Sequence, residues 1–249
     1  MAKTKRVLKR YLDFAHLLLY TVDARAPLAT FAPKQLPHNK EVILVFTKED
    51  LADPQKTEAW KRWFKSHGHS TISSNQKNFF SSFKPSRGLP PRVYTIIMGL
   101  PNIGKSTLIN RWVGKKKART GALPGITRGP QWIKIDEKFY LLDTPGIFFK
   151  EKISEDEGWK LAAISTIPEK IYANQIVEVV KSLLDYLRDE YQLFQDEPEN
   201  IYDFLKKSAL RKGILLKGGE LNLEDAAKRL LADFQRGAWG RITLESPKI

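Results

Sequence analysis

The octapeptide Gly99-Leu100-Pro101-Asn102-Ile103-Gly104-Lys105-Ser106 constrains this chain more than any other segment. The apolar run Val93 to Met98 precedes it, and Thr107 to Trp112, which suits a helix, follows it. Glycines in such a loop let successive backbone N–H groups turn inward. The helix that follows adds the positive end of its dipole, so the segment makes a cradle for phosphate. A strand, loop and helix of this kind belong to a mostly parallel sheet with helices on both faces. The other short apolar runs, Leu17 to Val22, Val42 to Phe46, Ser70 to Ile72 and Phe139 to Leu142, do not alternate with polar residues. Buried parallel strands have that character. Thr57 to Ser66 reads as a helix with Trp60, Trp63 and Phe64 on one face.

The order of the motifs is unusual. Asp143-Thr144-Pro145-Gly146 follows the phosphate loop, where a metal-side motif is expected. The base-reading tetrapeptide of GTPases, Asn or Thr, then Lys, any residue and Asp, is expected further on, and none occurs after Gly146. One occurs upstream instead, at Thr47-Lys48-Glu49-Asp50, directly after the apolar run that ends at Phe46. Base motif, phosphate loop and metal motif in that order predict a circularly permuted α/β GTPase domain.

Each residue type suits its place. Asn102, Ile103, Gly104 and Thr107 belong to the cradle; Lys105 is predicted to reach the β- and γ-phosphates and Ser106 to ligate Mg²⁺. Asp143 is expected to hold Mg²⁺ through water, Thr127 to complete the metal shell, and the Gly146 N–H to meet the γ-phosphate. The Asp50 carboxylate can accept from guanine N1–H and from its 2-amino group, donors that adenine lacks there. Lys48 is expected along the face of the base, and Ser73 and Ser74 in the loop behind it. Thr47 replaces the more usual Asn, and a hydroxyl bridges less widely than an amide, so weaker binding is expected. Ile147 stands where many GTPases keep a water-orienting Gln, which predicts slow intrinsic hydrolysis. His16, His38, His67 and His69 lie far from these motifs in sequence and are read as structural.

With 42 Lys+Arg against 28 Asp+Glu the net charge is +14, which favours an anionic partner. There is no cysteine, so disulfides and Cys-ligated metal centres are excluded. No apolar run approaches the ~20 residues of a membrane span. Basic residues from Lys3 to Arg10 ahead of Leu17 to Val22 imitate an export signal, but Asp13 and His16 interrupt it and the apolar run reads better as a strand. Between Arg111 and Arg128 stand six basic residues and no acidic ones: Arg111, Lys115, Lys116, Lys117, Arg119 and Arg128. They are candidates for RNA phosphate contacts, with Lys206, Lys207, Arg211, Lys212 and Lys217 as an extension.

Three prolines and a glycine in Phe83 to Pro91 suggest the linker that joins the old ends of a permuted fold. Beyond about residue 150 the strands stop. Ile176, Val180, Leu183 and Leu187 repeat at helical spacing, and Asn222 is placed to cap a helix that carries Ala226, Ala227, Leu230, Leu231 and Phe234 and stops at Gly237. The expected division is a GTPase domain over 1–155 and a small all-α domain over 156–249.

Taken together these segments resemble the YlqF/RbgA family of circularly permuted ribosome-assembly GTPases, found in bacteria with mitochondrial relatives. The resemblance runs nearly end to end: Asp23-Ala24-Arg25-Ala26-Pro27, Leu108-Ile109-Asn110-Arg111, Gly114 to Lys117, Pro124 to Gly129, Gln131-Trp132, Leu216 to Gly219 and Gly240 to Glu245. It implies GTP/GDP binding and late maturation of the large ribosomal subunit, through rRNA contacts that depend on the nucleotide state. It also implies potassium-assisted hydrolysis with Asn102 as a K⁺ ligand. A monomer is expected, in the cytoplasm or, alternatively, the mitochondrial matrix. The family usually opens with Pro-Gly-His, and that histidine is implicated in hydrolysis. Met1-Ala2-Lys3 resembles what comes next, so no catalytic residue is assigned; a late start or impaired hydrolysis is expected. The alternative functions are a GTP-gated RNA-binding placeholder that hardly hydrolyses, and an unrelated phosphate-loop ATPase or kinase.

Overall fold

A computed structural model describes residues 11–33, 36–37, 40–83, 88–113, 119–120, 132–143 and 153–247, with the backbone alone at 119, 120 and 143. The strands are β1 (Leu17–Asp23), β2 (Glu41–Thr47), β3 (Ser70–Ser73), β4 (Val93–Met98), β5 (Arg119–Thr120), β6 (Trp132–Lys134) and β7 (Phe139–Asp143). They form one sheet in the order β3-β2-β1-β4-β7-β6-β5. Pairing is parallel from β3 through β7, and β6 and β5 extend the sheet antiparallel. Those last two strands were not expected. They are two and three residues long and carry little of the apolar signal that marks the others.

Alternation along β1 explains why the sheet is covered twice. Leu18, Tyr20 and Val22 face a core completed by Trp60 and Phe64 of helix α1 (Pro54–Ser66). Leu17 and Leu19 face the opposite core, with Leu108, Ile109 and Trp112 of helix α2 (Lys105–Val113). Each such large apolar side chain contributes about 1.5–3 kcal/mol on burial. Helix α1 starts three residues earlier than its apolar pattern suggests. The Asp53 side chain caps it by accepting from Gln55 N and Lys56 N, and Pro54 takes the first helical position, where its missing N–H costs nothing. Within the expected linker, residues 84–87 lie outside those described.

The chain divides into two compact units, Met1–Glu151 with Glu245–Ile249, and Lys152–Leu244. The division falls four residues before the expected boundary, and the tail joins the first unit. There the Glu245 side chain accepts from Leu28 N and Ala29 N, and the Glu245 carbonyl accepts from Trp60 Nε1 at 3.0 Å.

The second unit holds helices α3 (Glu155–Ala163), α4 (Ile176–Tyr191), α5 (Ile201–Lys212) and α6 (Leu223–Gln235). Ser154 and Glu157 form a capping box on α3, Asn200 caps α5, and Asn222 caps α6 by accepting from Asp225 N at 2.9 Å. Gly213 ends α5 at φ 62°, the left-handed conformation that a residue without Cβ adopts at least cost. Among the described residues no helix is long and apolar enough to cross a membrane.

Candidate functional site

Strand order reverses between β1 and β4: the chain leaves β1 toward β2 and β3, then returns to the other side of β1 as β4. In open parallel sheets the crevice at such a point, beyond the C-terminal strand ends, receives ligands. Three expected segments end there: Asp23 closes β1, Thr47 closes β2 and Met98 closes β4.

The phosphate loop leaves β4 at Gly99, whose φ is 148°. A Cβ there would lie 2.0 Å from Thr21 Oγ1 and 2.9 Å from the Thr21 carbonyl oxygen. Thr21 itself is tied down, since its hydroxyl donates to Met98 O at 2.8 Å. Only glycine fits this close approach. Asn102 takes φ 54° and Gly104 φ 97°, which turn the loop, and α2 starts at Lys105. Lys105 is buried, and its ammonium donates to Gly99 O at 3.1 Å and Leu100 O at 2.7 Å. The cation is thereby held over the cradle. Ser106 and Thr107 are exposed at the helix start.

The upstream tetrapeptide lies against this loop. A Cβ on Gly104 would sit 3.7 Å from Thr47 Cβ. Thr47 is buried, and its hydroxyl donates to Val22 O at 3.0 Å, so it fastens β2 to β1. Lys48 has φ 55°, a left-handed conformation that costs a non-glycine residue about 1–2 kcal/mol. Its ammonium lies 3.2 Å from Asp23 Oδ2. Arg25 grips the same carboxylate through Nε at 3.0 Å and Nη2 at 2.8 Å.

Burial opposes charge on both Asp23 and Lys48. For Asp23 the two cations outweigh that cost and hold the carboxyl below its usual 3.8. For Lys48, burial, aided by repulsion from Arg25, outweighs Asp23 and lowers the ammonium below 10.5. Glu49 pairs with Lys61 of α1 at 2.8 Å, which anchors the tetrapeptide to that helix. The Asp50 side chain is exposed and makes no hydrogen bond or ion pair among the described residues.

Ser73 ends β3 and Ser74 is buried just after it; Ser74 N donates to Phe46 O at 2.8 Å, which brings this loop beside the tetrapeptide. Asp143 is the register partner of Ile97, so the end of β7 lies alongside β4. The Asp143 side chain lies outside the described residues, as do Thr127, Gly146, Ile147, Lys115, Lys116, Lys117 and Arg128 and the side chain of Arg119.

Arg111 is exposed near the end of α2. It donates to Ser74 O and to Asn75 Oδ1, each at 2.8 Å. In the helical unit Lys206 pairs with Asp203, Lys207 and Arg211 with Glu197, and Lys212 with Asp233. Those pairs offset part of the positive charge of these four residues. Of the histidines, His16 accepts from Tyr94 N at 3.1 Å and His67 stacks on Trp63 at 3.9 Å; His69 packs edge-on against Phe31, and His38 lies outside the described residues. Among the described residues no group of acidic side chains and histidines could hold a metal. Sequence reasoning missed the Asp23–Arg25–Lys48 network and the Gly99–Thr21 contact. Only the Asp-x-Arg spacing hinted at the first.

Two family models match the chain: a 50S ribosome-binding GTPase over residues 94–216 and an RsgA GTPase over residues 34–151. The ribosome biogenesis GTPase A of Bacillus licheniformis is 32% identical, with 100% of this chain and 96% of the relative covered. That of Thermotoga maritima is also 32% identical, over 99% and 92%. Among solved structures, GNP-bound YlqF from T. maritima superposes with a TM-score of 0.80 at 28% identity, covering 99% of both chains. A GDP-bound YlqF gives 0.76 at 27% identity over 96% of this chain and 98% of that one. The full-length likeness places the chain in the ribosome biogenesis GTPase A family, as a GTPase whose base motif precedes its phosphate loop.

Proposed function

We propose that this protein binds GTP and GDP at the C-terminal ends of β1, β2 and β4, hydrolyses GTP, and acts as an assembly factor in late maturation of the large ribosomal subunit. The closeness of Thr47 to Gly104, which leaves a Cβ on Gly104 only van der Waals room, carries this reading, because it brings a base-reading segment beside a phosphate cradle that follows it in the chain. The likeness to ribosome biogenesis GTPase A relatives and to GNP- and GDP-bound YlqF supports it.

In this reading the N–H groups of Asn102 to Lys105 and the start of α2 receive phosphate oxygens, and Lys105 turns from the Gly99 and Leu100 carbonyls to the phosphates. Asp50 takes the guanine edge, Lys48 lies along its face, and Ser73 and Ser74 stand behind it. The exposed Ser106 hydroxyl at the helix start suits Mg²⁺, with Thr127 and Asp143 as its further ligands and Gly146 toward the γ-phosphate. Asn102, exposed in the loop, would serve K⁺. Bound Mg²⁺ neutralises phosphate charge that develops during transfer. RNA contact falls to Lys115, Lys116, Lys117, Arg119 and Arg128, and the helical unit meets the pre-ribosome. The protein acts as a monomer in the cytoplasm.

The test is GTP turnover in potassium buffer, with and without purified large subunits and with ATP as control. Stimulation specific to GTP supports the assembly-factor reading. Tight GTP binding without stimulated turnover supports a placeholder instead, and ATP turnover equal to GTP turnover sinks both.

A further inference from the structure

The last turn of α2 reaches away from the phosphate loop. Arg111 Nη1 donates to Ser74 O and to Asn75 Oδ1, both at 2.8 Å, and Trp112 Nε1 donates to Gln76 O at 2.9 Å. Three successive residues of the loop after β3 are thus held by two successive residues of one helix. The Trp112 indole is itself fixed, stacked on Phe79 with ring centres 5.4 Å apart and planes at 27°. This loop is also fastened by Ser74 N to Phe46 O at 2.8 Å, Asn75 N to Ser73 Oγ at 3.1 Å, Gln76 N to Ser73 O at 3.1 Å and Gln76 Nε2 to Ser82 Oγ at 3.3 Å. β3 is a four-residue edge strand, so its loop has no strand on its outer side among the described residues.

The same helix starts at the phosphate loop. Its nine residues rise about 13 Å, so one stiff element sets the distance between the phosphate cradle and the loop behind the base.

We propose that Arg111 is a positioning residue for the guanine base: its two hydrogen bonds fix loop 74–76 as the wall against which the base lies. This rests on the reading that the Ser73–Ser74 loop backs guanine. The two N–H bonds of one guanidinium nitrogen diverge in a plane and meet a backbone carbonyl and an amide oxygen at equal distance. A guanidinium holds such an arrangement at lower entropic cost than a flexible ammonium. Arg111 is engaged in this way through Nη1, so it acts on the base through the loop.

The experiment uses the full chain and its Arg111→Ala and Arg111→Lys variants. Affinities for GDP, a non-hydrolysable GTP analogue and ADP are measured by titration, KM and kcat for GTP are followed, and melting temperature checks the fold. GDP and the GTP analogue share the base, so Arg111→Ala weakens both by the same factor, about tenfold. KM rises in step while kcat holds, the GDP-over-ADP preference narrows, and Arg111→Lys recovers part of the loss.

Unchanged GDP affinity in Arg111→Ala overturns the proposal, and a loss confined to RNA binding would make Arg111 a phosphate contact after all. A loss for the GTP analogue alone also overturns it, because it places the effect at the γ-phosphate. If Arg111→Ala does not fold, Asn75→Ala removes one acceptor and is expected to give a smaller loss of GDP affinity; no loss there overturns the proposal as well. The unmodified protein separates this outcome from failure of the underlying reading. If it shows no preference for GDP over ADP, the base-site assignment itself is wrong.

Discussion

The Asp23 carboxylate at the end of β1 lies 3.2 Å from the ammonium of Lys48, the residue just after β2, and both groups are drawn out of water. Lys48 stands in a left-handed backbone conformation that the chain would not choose unaided. Asp23 and Arg25, from a segment with no nucleotide motif of its own, therefore shape the base-reading turn.

Asp23→Asn leaves Arg25, 2% exposed, without its carboxylate. Breaking a buried pair from one side typically costs about 3–5 kcal/mol. Urea unfolding at pH 7 should show a loss of that order, with a weaker GDP complex in the fraction that stays folded. A loss below about 1 kcal/mol, the range of an exposed pair, would contradict the buried network.

Gly99→Ala is expected to abolish nucleotide binding and to lower soluble yield. Truncating Thr21 should not rescue it, because the new Cβ would still meet the Thr21 carbonyl oxygen at 2.9 Å. Gly218→Ala is the control: nothing lies within 4 Å of its Cβ position, and stability should stay within about 0.5 kcal/mol.

Burial, aided by Lys40, holds His16 below its usual 6.5, and burial, aided by His67, does the same for His69. A lowered folded value means that the unfolded chain binds more protons in this window. Both residues thus contribute stability that is present above pH 6.5 and lost as pH falls through the lower folded values. His16 Nδ1 also needs its lone pair to accept from Tyr94 N. Melting temperature should drop as pH is lowered from 7 toward 5, and His16→Gln should flatten part of that slope. An unchanged slope would remove His16 from this role.

Much of the sheet was legible because buried parallel strands are nearly all apolar: Val93 to Met98 was found to the residue and β1, β2, β3 and β7 to within one at each end. Strands β5 and β6 were missed because short antiparallel edge strands carry no such run. The first turn of α1 was missed because Pro54, Gln55 and Lys56 carry none of the apolar periodicity that marks the rest of the helix. Within the site, the Thr47–Asp50 and Gly99–Ser106 segments were readable because phosphate and base recognition need particular residues at fixed spacing. The bonds from Arg111 to Ser74 and Asn75 were not legible, because a charged residue shows nothing in sequence of a loop 36 residues away.

The most direct test of the permuted site is competition between GDP and XDP for the unmodified protein and for Asp50→Asn. Xanthine carries a carbonyl where guanine carries the 2-amino group, and an asparagine amide can donate to it where a carboxylate cannot. The account predicts that the unmodified protein prefers GDP and that Asp50→Asn prefers XDP. If Asp50→Asn keeps the unmodified preference for GDP, the upstream tetrapeptide does not read the base, and the permuted-site account is wrong.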